Sequence, residues 1–369
     1  MPELPEVETV ARDLRGLVLD ATIAGAACHW ARTLRTHDAA TIGPALAGRQ
    51  ILSVGRRGKQ VVLGLSGGAI LTIHLKMTGQ LFVVPAGAPA DPYVRFVMAL
   101  ADGRELRFRD IRKFGKIGLY DLDPASGEAV HEIGGSAVFA GTGPEPLDER
   151  FTLGAFRRRL RGRRGRLKPL LLDQAFVAGI GNIYADEALW AARLHPLRSS
   201  ATLRPPDERR LYEAIRRILA EAIERRGSSI DDYTAPDGDG SMQERLRVYQ
   251  HTGEPCGRCG RPIRRIVIGG RATHFCSWCQ RLPAADRGAA LAILRGMTPP
   301  AGAAPRRAPG VPGAPGRRWT ELDGEAALGR TPAEIATVIA RARARAERTR
   351  CAAATRRAAA RAAGTGGTA

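Results

Sequence analysis

The sequence predicts an α+β protein of several domains: an N-terminal antiparallel β-sandwich carrying a helix, a helical region, and a small cysteine module. Three observations lead to this prediction. Apolar residues recur at helical spacing over residues 1–20, short alternating runs separated by turn residues fill 49–123, and two Cys-x-x-Cys pairs frame an alternating segment near residue 270. The 369 residues are enough for two or three domains.

The chain is strongly basic, with a formal net charge of +20 and a pI near 10.9. This charge predicts a polyanionic partner, nucleic acid before membrane. No apolar run approaches the length of a membrane span, and no secretory signal precedes Pro2. We therefore expect a cytoplasmic monomer that binds nucleic acid and does not associate with a membrane.

Helix formation is predicted at the N-terminus, where Leu4, Val7, Ala11, Leu14 and Val18 form an apolar stripe. Removal of Met1 would leave the secondary amine of Pro2 as the terminus, with a reference pKa of about 8. Such an amine can attack an aldehyde-level carbon, and Glu3 beside it can transfer a proton. The alternative is an ordinary helix start with acidic residues at its positive end. The two interpretations are compatible.

Strand-like runs at 60–65, 69–75 and 94–100 are separated by Gly-containing turns, which predicts antiparallel pairing. Lysine is scarce: the five are Lys59, Lys76, Lys113, Lys116 and Lys168. Lysine can give up its proton where arginine cannot, so a retained lysine is a mild indication of a site that needs one. Chance remains the alternative. Lys59 is the last residue of a basic turn, Gly55-Arg56-Arg57-Gly58-Lys59, between two strands.

Residues 152–226 have helical patterning, interrupted by a Gly-rich double turn at 179–181. Asn182 is predicted as the N-cap of the next helix, and the amides of such a turn can bind phosphate. The spacing Gly179-x-Gly181 could suggest a dinucleotide site. Tyr184 occupies the third glycine position and no βαβ unit surrounds it, so that interpretation is rejected.

The cysteine module is the strongest signal that rests on spacing alone. Sixteen residues separate two pairs, Cys256 with Cys259 and Cys276 with Cys279, which predicts a four-cysteine structural zinc site. The segment between them alternates around a Gly-Gly turn, as a β-hairpin does. Arg271 lies just past its tip, where it can meet DNA. His251 is predicted to be a bystander, because four thiolates complete the coordination.

The residues after Met1, Pro-Glu-Leu-Pro-Glu-Val-Glu-Thr, resemble the start of bacterial formamidopyrimidine-DNA glycosylase, of the formamidopyrimidine/endonuclease VIII family. Further matching stretches extend the resemblance over roughly residues 1–281. It implies a bifunctional DNA glycosylase and AP lyase that excises oxidised purines, 8-oxoguanine and formamidopyrimidines, from damaged double-stranded DNA. It assigns the nucleophile to Pro2, proton transfer to Glu3 and helix positioning to Glu6.

The resemblance also implies DNA contacts. Met77, Arg112 and Phe114 match the residues that fill the space left by an extruded base, the arginine pairing with the orphaned cytosine. Phosphate contacts are implied for Lys59, Asn182 and Arg271, with Asn182 in a helix–two-turn–helix. Lys59 is also implied to assist the later elimination, and both Lys59 and Arg271 are counted with the catalytic residues. Lys168 and Glu6 are counted with the DNA-binding residues. Residues 91–94 depart from the histidine-containing stretch of the family, which puts one local phosphate contact in doubt.

The predicted domain division is 1–140, a linker 141–151, a helical domain 152–246 whose loop 227–243 would cap the lesion, the zinc hairpin 247–281, and an Ala/Pro/Arg-rich tail 282–369. The tail has 15 arginines against 6 acidic residues and is predicted to be largely disordered and to add non-specific DNA affinity. Two alternatives stay open. One is an endonuclease VIII-like enzyme for oxidised pyrimidines, and the other a non-catalytic binder of damaged DNA.

Overall fold

The computed structural model describes residues 1–123, 127, 129–130, 138–229 and 240–295. The chain begins with helix α1 (Leu4–Val18), followed by strand β1 (Ile23–Cys28) and helix α2 (Ile42–Leu46). The strands that follow are β2 (Ile51–Arg57), β3 (Gln60–Leu65), β4 (Ala69–His74), β5 (Gly79–Pro85), β6 (Val94–Leu100), β7 (Arg104–Asp110), β8 (Lys116–Leu122) and β9 (Ala129–Val130). A short 3₁₀ turn lies at Ala31–Thr33.

The strands form two antiparallel sheets, as the alternating sequence pattern predicts. One sheet has the order β1-β6-β7-β5 and the other β2-β3-β4-β8-β9. Apolar residues from both sheets and from α1 share one buried core. Gly58 and Lys59 form the two-residue turn between β2 and β3, and the positive φ of Gly58 (58°) suits the tight reversal.

The helical part consists of α3 (Leu153–Arg161), α4 (Leu167–Leu172), α5 (Asn182–Ala191) and α6 (Pro205–Glu224), with 3₁₀ turns at Ser200–Thr202 and Met242–Arg245. It has its own core. Helix α1 contributes to both cores, because Leu4 packs among the helices whereas Val7 and Val10 pack in the sandwich. The first turn of α1 therefore lies where the two cores meet.

The cysteine module folds as a hairpin of β10 (Arg264–Ile268) and β11 (Arg271–Phe275), with Ile268 paired to Arg271 across the Gly-Gly tip. The predicted tail boundary is too early, because Ala284–Arg295 forms helix α7. Leu282, Ala290 and Ile293 pack against the hairpin residues Ile266 and Phe275. The alanine-rich composition hid a helix whose apolar side has a partner. Residues 296–369 of the predicted tail lie outside the described residues.

Most of the predicted lesion-capping loop, 230–239, also lies outside the described residues. Its ends are described. Ser228 is buried and Met242 packs in the helical core, so both ends are held by the folded part. A search of the described helices finds none that is both long enough and apolar enough to cross a bilayer.

Candidate active site and zinc site

A cavity of about 420 Å³ lies beside the first turn of α1. Seven of the predicted site residues line this cavity: Pro2, Glu3, Glu6, Lys59, Met77, Asn182 and Arg271. They come from the N-terminus, the β2–β3 turn, the β4–β5 turn, the start of α5 and the tip of the zinc hairpin. Much of the remaining wall is formed by His74, Lys76, Gln174, Ser228 and Tyr249.

Glu3 is 2% exposed, and its carboxylate lies at the N-terminus of α5. It accepts hydrogen bonds from the backbone N–H groups of Gly181 (2.7 Å), Ile183 (2.9 Å) and Tyr184 (3.4 Å). These are the donors that the first turn of a helix leaves without partners. The prediction that Asn182 is the N-cap is therefore wrong. Gly181 is the cap residue, and the carboxylate of Glu3, the residue that precedes α1, takes the place of a capping side chain.

Two glycines make room for this contact. A Cβ on Gly181 would lie 2.3 Å from Cδ of Glu3, far inside van der Waals distance. Gly179 has a φ of +84°, and a Cβ there would lie 2.6 Å from Cβ of Leu4. The Gly-x-Gly turn that could be mistaken for a dinucleotide motif is thus required for the close approach of α1.

Glu6 organises the same corner of the cavity. One of its oxygens accepts the backbone N–H of Glu3 at 2.8 Å. The other accepts the Tyr184 hydroxyl at 2.5 Å and the backbone N–H of Ser228 at 2.8 Å. Glu6 thus joins the N-terminal residues, helix α5 and the start of the capping loop, in line with its predicted positioning role. Each of these hydrogen-bond partners of Glu6 belongs to the protein itself.

Burial shifts the titration of Glu3 and Lys59 in opposite directions. Desolvation raises the pKa of Glu3, and the nearby positive charge of Lys59 only partly offsets the rise. Desolvation lowers the pKa of Lys59, which is 8% exposed, against the opposing effect of Glu3. Both shifts favour neutral forms, a protonated carboxyl and a free amine. A lysine with an ordinary pKa of about 10.4 holds little free amine at neutral pH. Because burial lowers the pKa of Lys59, its amine competes with that of Pro2 as a candidate nucleophile.

The turn that carries Lys59 is fixed by Glu145, which the sequence analysis did not single out. The Glu145 carboxylate accepts from Nη1 of Arg56 at 2.6 Å, from Nη1 of Arg57 at 2.8 Å and from the Gly58 N–H at 2.6 Å. These contacts lower the pKa of Glu145 although burial opposes them. Arg56 and Arg57 are therefore paired with Glu145 of the predicted linker, and these contacts hold the turn that carries Lys59.

His74 is a further cavity residue that the sequence analysis missed. Burial lowers its pKa to about 3, so the imidazole is neutral at working pH. Its Nδ1 accepts the backbone N–H of Lys76 at 3.0 Å, which places the proton on Nε2. The ring is a neutral hydrogen-bond donor on the cavity wall. His74 is the last residue of β4, inside the predicted run 69–75, and its place in that strand gave no chemical signal in the sequence.

The buried carboxylate of Asp110 connects the two turns that carry Met77, Arg112 and Phe114. Asp110 accepts from Thr78 Oγ1 at 2.5 Å, beside Met77, and from the Gly115 N–H at 2.7 Å on the second turn. Met77 is half-buried on the cavity wall, whereas Phe114 is 47% exposed. The Arg112 guanidinium carbon lies 5.0 Å from the centre of the Phe114 ring. The guanidinium of Arg112 and the ring of Phe114 therefore lie side by side on the same turn.

The remaining predicted DNA contacts differ in accessibility. Arg271 is exposed, and Asn182 lines the cavity while its Nδ2 donates to the Ala272 carbonyl at 2.9 Å. Lys168 is fully buried and paired with Asp186, its Nζ 2.5 Å from a carboxylate oxygen. Its burial does not support the predicted direct contact with DNA. Periodicity could not reveal this, because the partner is eighteen residues further along the chain.

Asp186 explains the burial of Lys168. Its second oxygen accepts the backbone N–H of His274 at 2.9 Å, so the carboxylate joins α4, α5 and strand β11. The Lys168 ammonium also donates to the Asn182 carbonyl at 2.9 Å. The pair supports Asn182 and the hairpin bearing Arg271 from inside the fold.

The four cysteines converge, as their spacing predicts. Their sulfur atoms lie within 4.8 Å of one another, with Cys256 and Cys279 at 4.0 Å and Cys259 and Cys276 at 3.5 Å. Tetrahedral Zn²⁺ with Zn–S bonds of about 2.3 Å needs sulfur atoms about 3.8 Å apart, so the set fits one zinc ion. Four thiolates leave no open coordination position, which makes the zinc structural. His251 instead pairs with Glu254 at 2.7 Å.

Comparison with known proteins first defines the class. Three domain models match consecutive parts of the chain: "Formamidopyrimidine-DNA glycosylase N-terminal domain" over residues 1–117, "Formamidopyrimidine-DNA glycosylase H2TH domain" over 142–234, and "Zinc finger found in FPG and IleRS" over 253–282. A sandwich with an N-terminal helix, a helix–two-turn–helix domain and a zinc hairpin therefore occur together, in the predicted order.

Whole-chain relatives make the identification specific. Formamidopyrimidine-DNA glycosylase of Herpetosiphon aurantiacus is 46% identical over 282 residues, 76% of this chain and 100% of the relative. That of Chloroflexus aurantiacus is 46% identical over 283 residues, 76% of this chain and 98% of the relative. This chain belongs to the formamidopyrimidine-DNA glycosylase family, which confirms the resemblance.

Solved structures agree with this assignment. A Lactococcus lactis FPG variant in complex with a DNA containing Fapy-dG has a TM-score of 0.69 and 37% identity, covering 76% of this chain and all of that one. MutM (FPG) from Thermus thermophilus has a TM-score of 0.67 and 42% identity at the same coverage.

Proposed function

We propose that this protein is a base-excision-repair DNA glycosylase and AP lyase that removes oxidised purines from double-stranded DNA. The observation that carries the proposal is the single cavity lined by Pro2, Glu3 and Lys59. Its relatives are formamidopyrimidine-DNA glycosylases, and the similar Lactococcus lactis protein binds a DNA containing Fapy-dG. The net charge of +20 suits a DNA partner.

The proposed reaction starts after removal of Met1, which frees the Pro2 nitrogen. Its lone pair attacks C1′ of the extruded nucleotide, the glycosidic bond breaks, and the departing base takes up the proton that the Pro2 nitrogen loses. Glu3 donates a proton to the ring oxygen O4′ as the C1′–O4′ bond opens, leaving an iminium between C1′ and Pro2. The raised pKa of Glu3 supports this role, because it keeps a proton available.

The iminium acidifies the proton on C2′, and its removal expels the 3′ phosphate by β-elimination. A second, δ-elimination expels the 5′ phosphate and leaves a one-nucleotide gap. The buried Lys59, whose lowered pKa favours the free amine, is placed to assist proton transfer beside the sugar.

DNA binding is proposed to use Arg271, Asn182 and Lys59 on phosphates, with Met77, Arg112 and Phe114 filling the space of the extruded base. Lys168 is proposed to support Asn182 from within. The acting form is proposed to be a cytoplasmic monomer, divided into domains at 1–140, 152–246 and 247–281, with helix α7 added to the zinc module. Residues 227–243 are proposed to cap the lesion.

Borohydride trapping tests the chemistry. Reduction during turnover on a duplex with 8-oxoguanine opposite cytosine should give a covalent protein–DNA adduct on the N-terminal peptide. Pro2→Gly should lose most of the adduct, whereas Lys59→Ala should keep it while slowing excision or elimination. An adduct mapped to Lys59, or full activity in a preparation whose intact mass retains Met1, would disprove the assignment of the nucleophile.

Substrate choice is tested with single-lesion duplexes. We expect faster excision of 8-oxoguanine opposite cytosine than opposite adenine, because the Arg112 guanidinium can donate to the acceptors of an orphaned cytosine. Preference for thymine glycol would favour the endonuclease VIII-like alternative. Damage-specific binding with no adduct on any lesion would favour the non-catalytic alternative.

A further inference from the structure

Helix α5 connects the candidate active site to the zinc site. Its N-terminal N–H groups bind Glu3, and its C-terminus meets the first cysteine pair. Arg258, between Cys256 and Cys259, donates to the carbonyls of Trp190 at 2.6 Å and Ala191 at 3.2 Å. A cation at this end satisfies helix carbonyls and opposes the negative end of the dipole.

Trp190 is the residue of α5 that reaches the zinc cluster. Its ring packs against a cluster that includes Cys256, Cys259 and Cys279, with the Arg258 guanidinium carbon 3.7 Å from the ring centroid. The indole Nε1 is buried and makes no hydrogen bond within the described part of the chain. Buried donors are nearly always hydrogen-bonded, so this one calls for an explanation. In the cluster that packs with the ring, the cysteine sulfur atoms are the only side-chain atoms able to accept a hydrogen bond, and Cys256 is the buried member of the first cysteine pair.

The acceptor becomes stronger when zinc binds. Sulfur of a neutral thiol is a weak acceptor, whereas a zinc ligand is a thiolate carrying negative charge. Four thiolates exceed the charge of one Zn²⁺, so the site is stabilised by N–H donors directed at sulfur. Within the module, the backbone N–H of Cys279 already points at Cys276 Sγ at 3.4 Å. Trp190 offers a comparable donor from outside the module.

We propose that the Trp190 indole N–H donates a hydrogen bond to the zinc-bound thiolate of Cys256. Trp190 is thereby a positioning residue for the metal, and together with Arg258 it attaches the first cysteine pair to the C-terminus of α5. The other end of the same ten-residue helix, about 15 Å away at 1.5 Å per residue, holds the Glu3 carboxylate. The zinc module is therefore fixed to the element that orients the catalytic carboxyl.

Cobalt substitution tests the hydrogen bond without any DNA substrate. Co²⁺ in the full-length protein gives a thiolate-to-metal charge-transfer band, and loss of an N–H donor to sulfur makes the thiolate easier to oxidise. Trp190→Phe should move the band to longer wavelength and speed zinc transfer to the chelator 4-(2-pyridylazo)resorcinol by about tenfold, a common cost of losing an outer-sphere partner. An unmoved band with wild-type zinc transfer would overturn the proposal.

Two further variants separate the hydrogen bond from packing. Replacement of Trp190 by β-(3-benzothienyl)alanine keeps the bicyclic ring but puts sulfur in place of the N–H, and it should shift the band as phenylalanine does. Wild-type behaviour of this variant would mean that ring packing holds the metal, and the proposal would be wrong. Trp278→Phe is the matched control. Trp278 is 48% exposed and stacks between Arg261 and Arg281, so its loss should leave the band unmoved.

Discussion

The zinc site and the candidate active site are assembled in opposite ways. All four cysteines lie within residues 256–279, and their spacing alone predicts that they meet. The cavity brings Glu3 against Gly181 and both close to Arg271, which are separated by most of the folded chain. A site made from neighbouring residues is specified by local geometry, whereas a site at the junction of cores depends on every contact that sets the junction. Local disruption should therefore affect the two sites differently.

The largest expected effect is at the zinc site. Cys276→Ser should lose the single zinc ion and DNA binding together, because metal binding of this kind contributes on the order of 10 kcal/mol to local folding. Metal content by atomic absorption and binding by gel shift would check this. The β-sandwich has its own core and should keep its folded signature. A zinc-free variant with wild-type DNA affinity would show that the hairpin needs no metal.

At the active site, a single methyl group should have a large effect. Gly181→Ala would place its Cβ 2.3 Å from Cδ of Glu3, so the carboxyl must leave the start of α5. Displacement of a catalytic group by about 1 Å commonly costs about 100-fold in rate. Single-turnover excision would measure the loss.

Gly16→Ala is the control on α1, because a Cβ there meets no atom within 4 Å. It should leave the rate unchanged and stabilise the helix by up to about 1 kcal/mol. Equal rates for the two variants would indicate that the position of Glu3 does not limit excision.

A smaller effect concerns pH dependence. If protonated Glu3 is the general acid, excision falls as pH rises through its raised pKa. Lys59 lowers that pKa, so Lys59→Met should raise it and move the alkaline limb to higher pH, whatever happens to the maximal rate. Lys76→Met is the control, because Lys76 lines the cavity but acts on the pKa of Lys59. If the alkaline limb of the pH–rate profile stays in place or moves to lower pH in Lys59→Met, the limb reports the titration of a group other than Glu3.

The smallest effect is expected from truncation. Removal of residues 296–369, with 13 arginines against 5 acidic residues, should leave single-turnover chemistry unchanged and flatten the salt dependence of DNA binding. Truncation after Arg281 should also lower the melting temperature of the zinc module, because it removes helix α7 from Ile266 and Phe275. An unchanged salt slope would mean that the tail adds no DNA contacts, and equal melting temperatures would mean that α7 adds no stability.

The sequence by itself determined the order of the domains, the strands of the sandwich and the zinc ligands, because periodicity and Cys spacing are properties of neighbouring residues. It also predicted Pro2, Glu3 and Lys59 as site residues, through their types and through the resemblance, and the three line one cavity. It missed His74 and Glu145, whose roles depend on strands and turns that meet only in the folded chain. It placed Lys168 on DNA, although Asp186 holds that ammonium inside the fold.

Only the tertiary structure decided in which direction the pKa values of the cavity residues shift and which helix ends are satisfied. Burial at the junction of two cores raises the pKa of Glu3 and lowers that of Lys59, and no composition or motif carries that information. The cap of α5 comes from Glu3, 178 residues earlier in the chain, through a gap that Gly181 leaves open. Desolvation and long-range hydrogen bonds depend on what surrounds a residue in space, and that is what folding adds to the sequence.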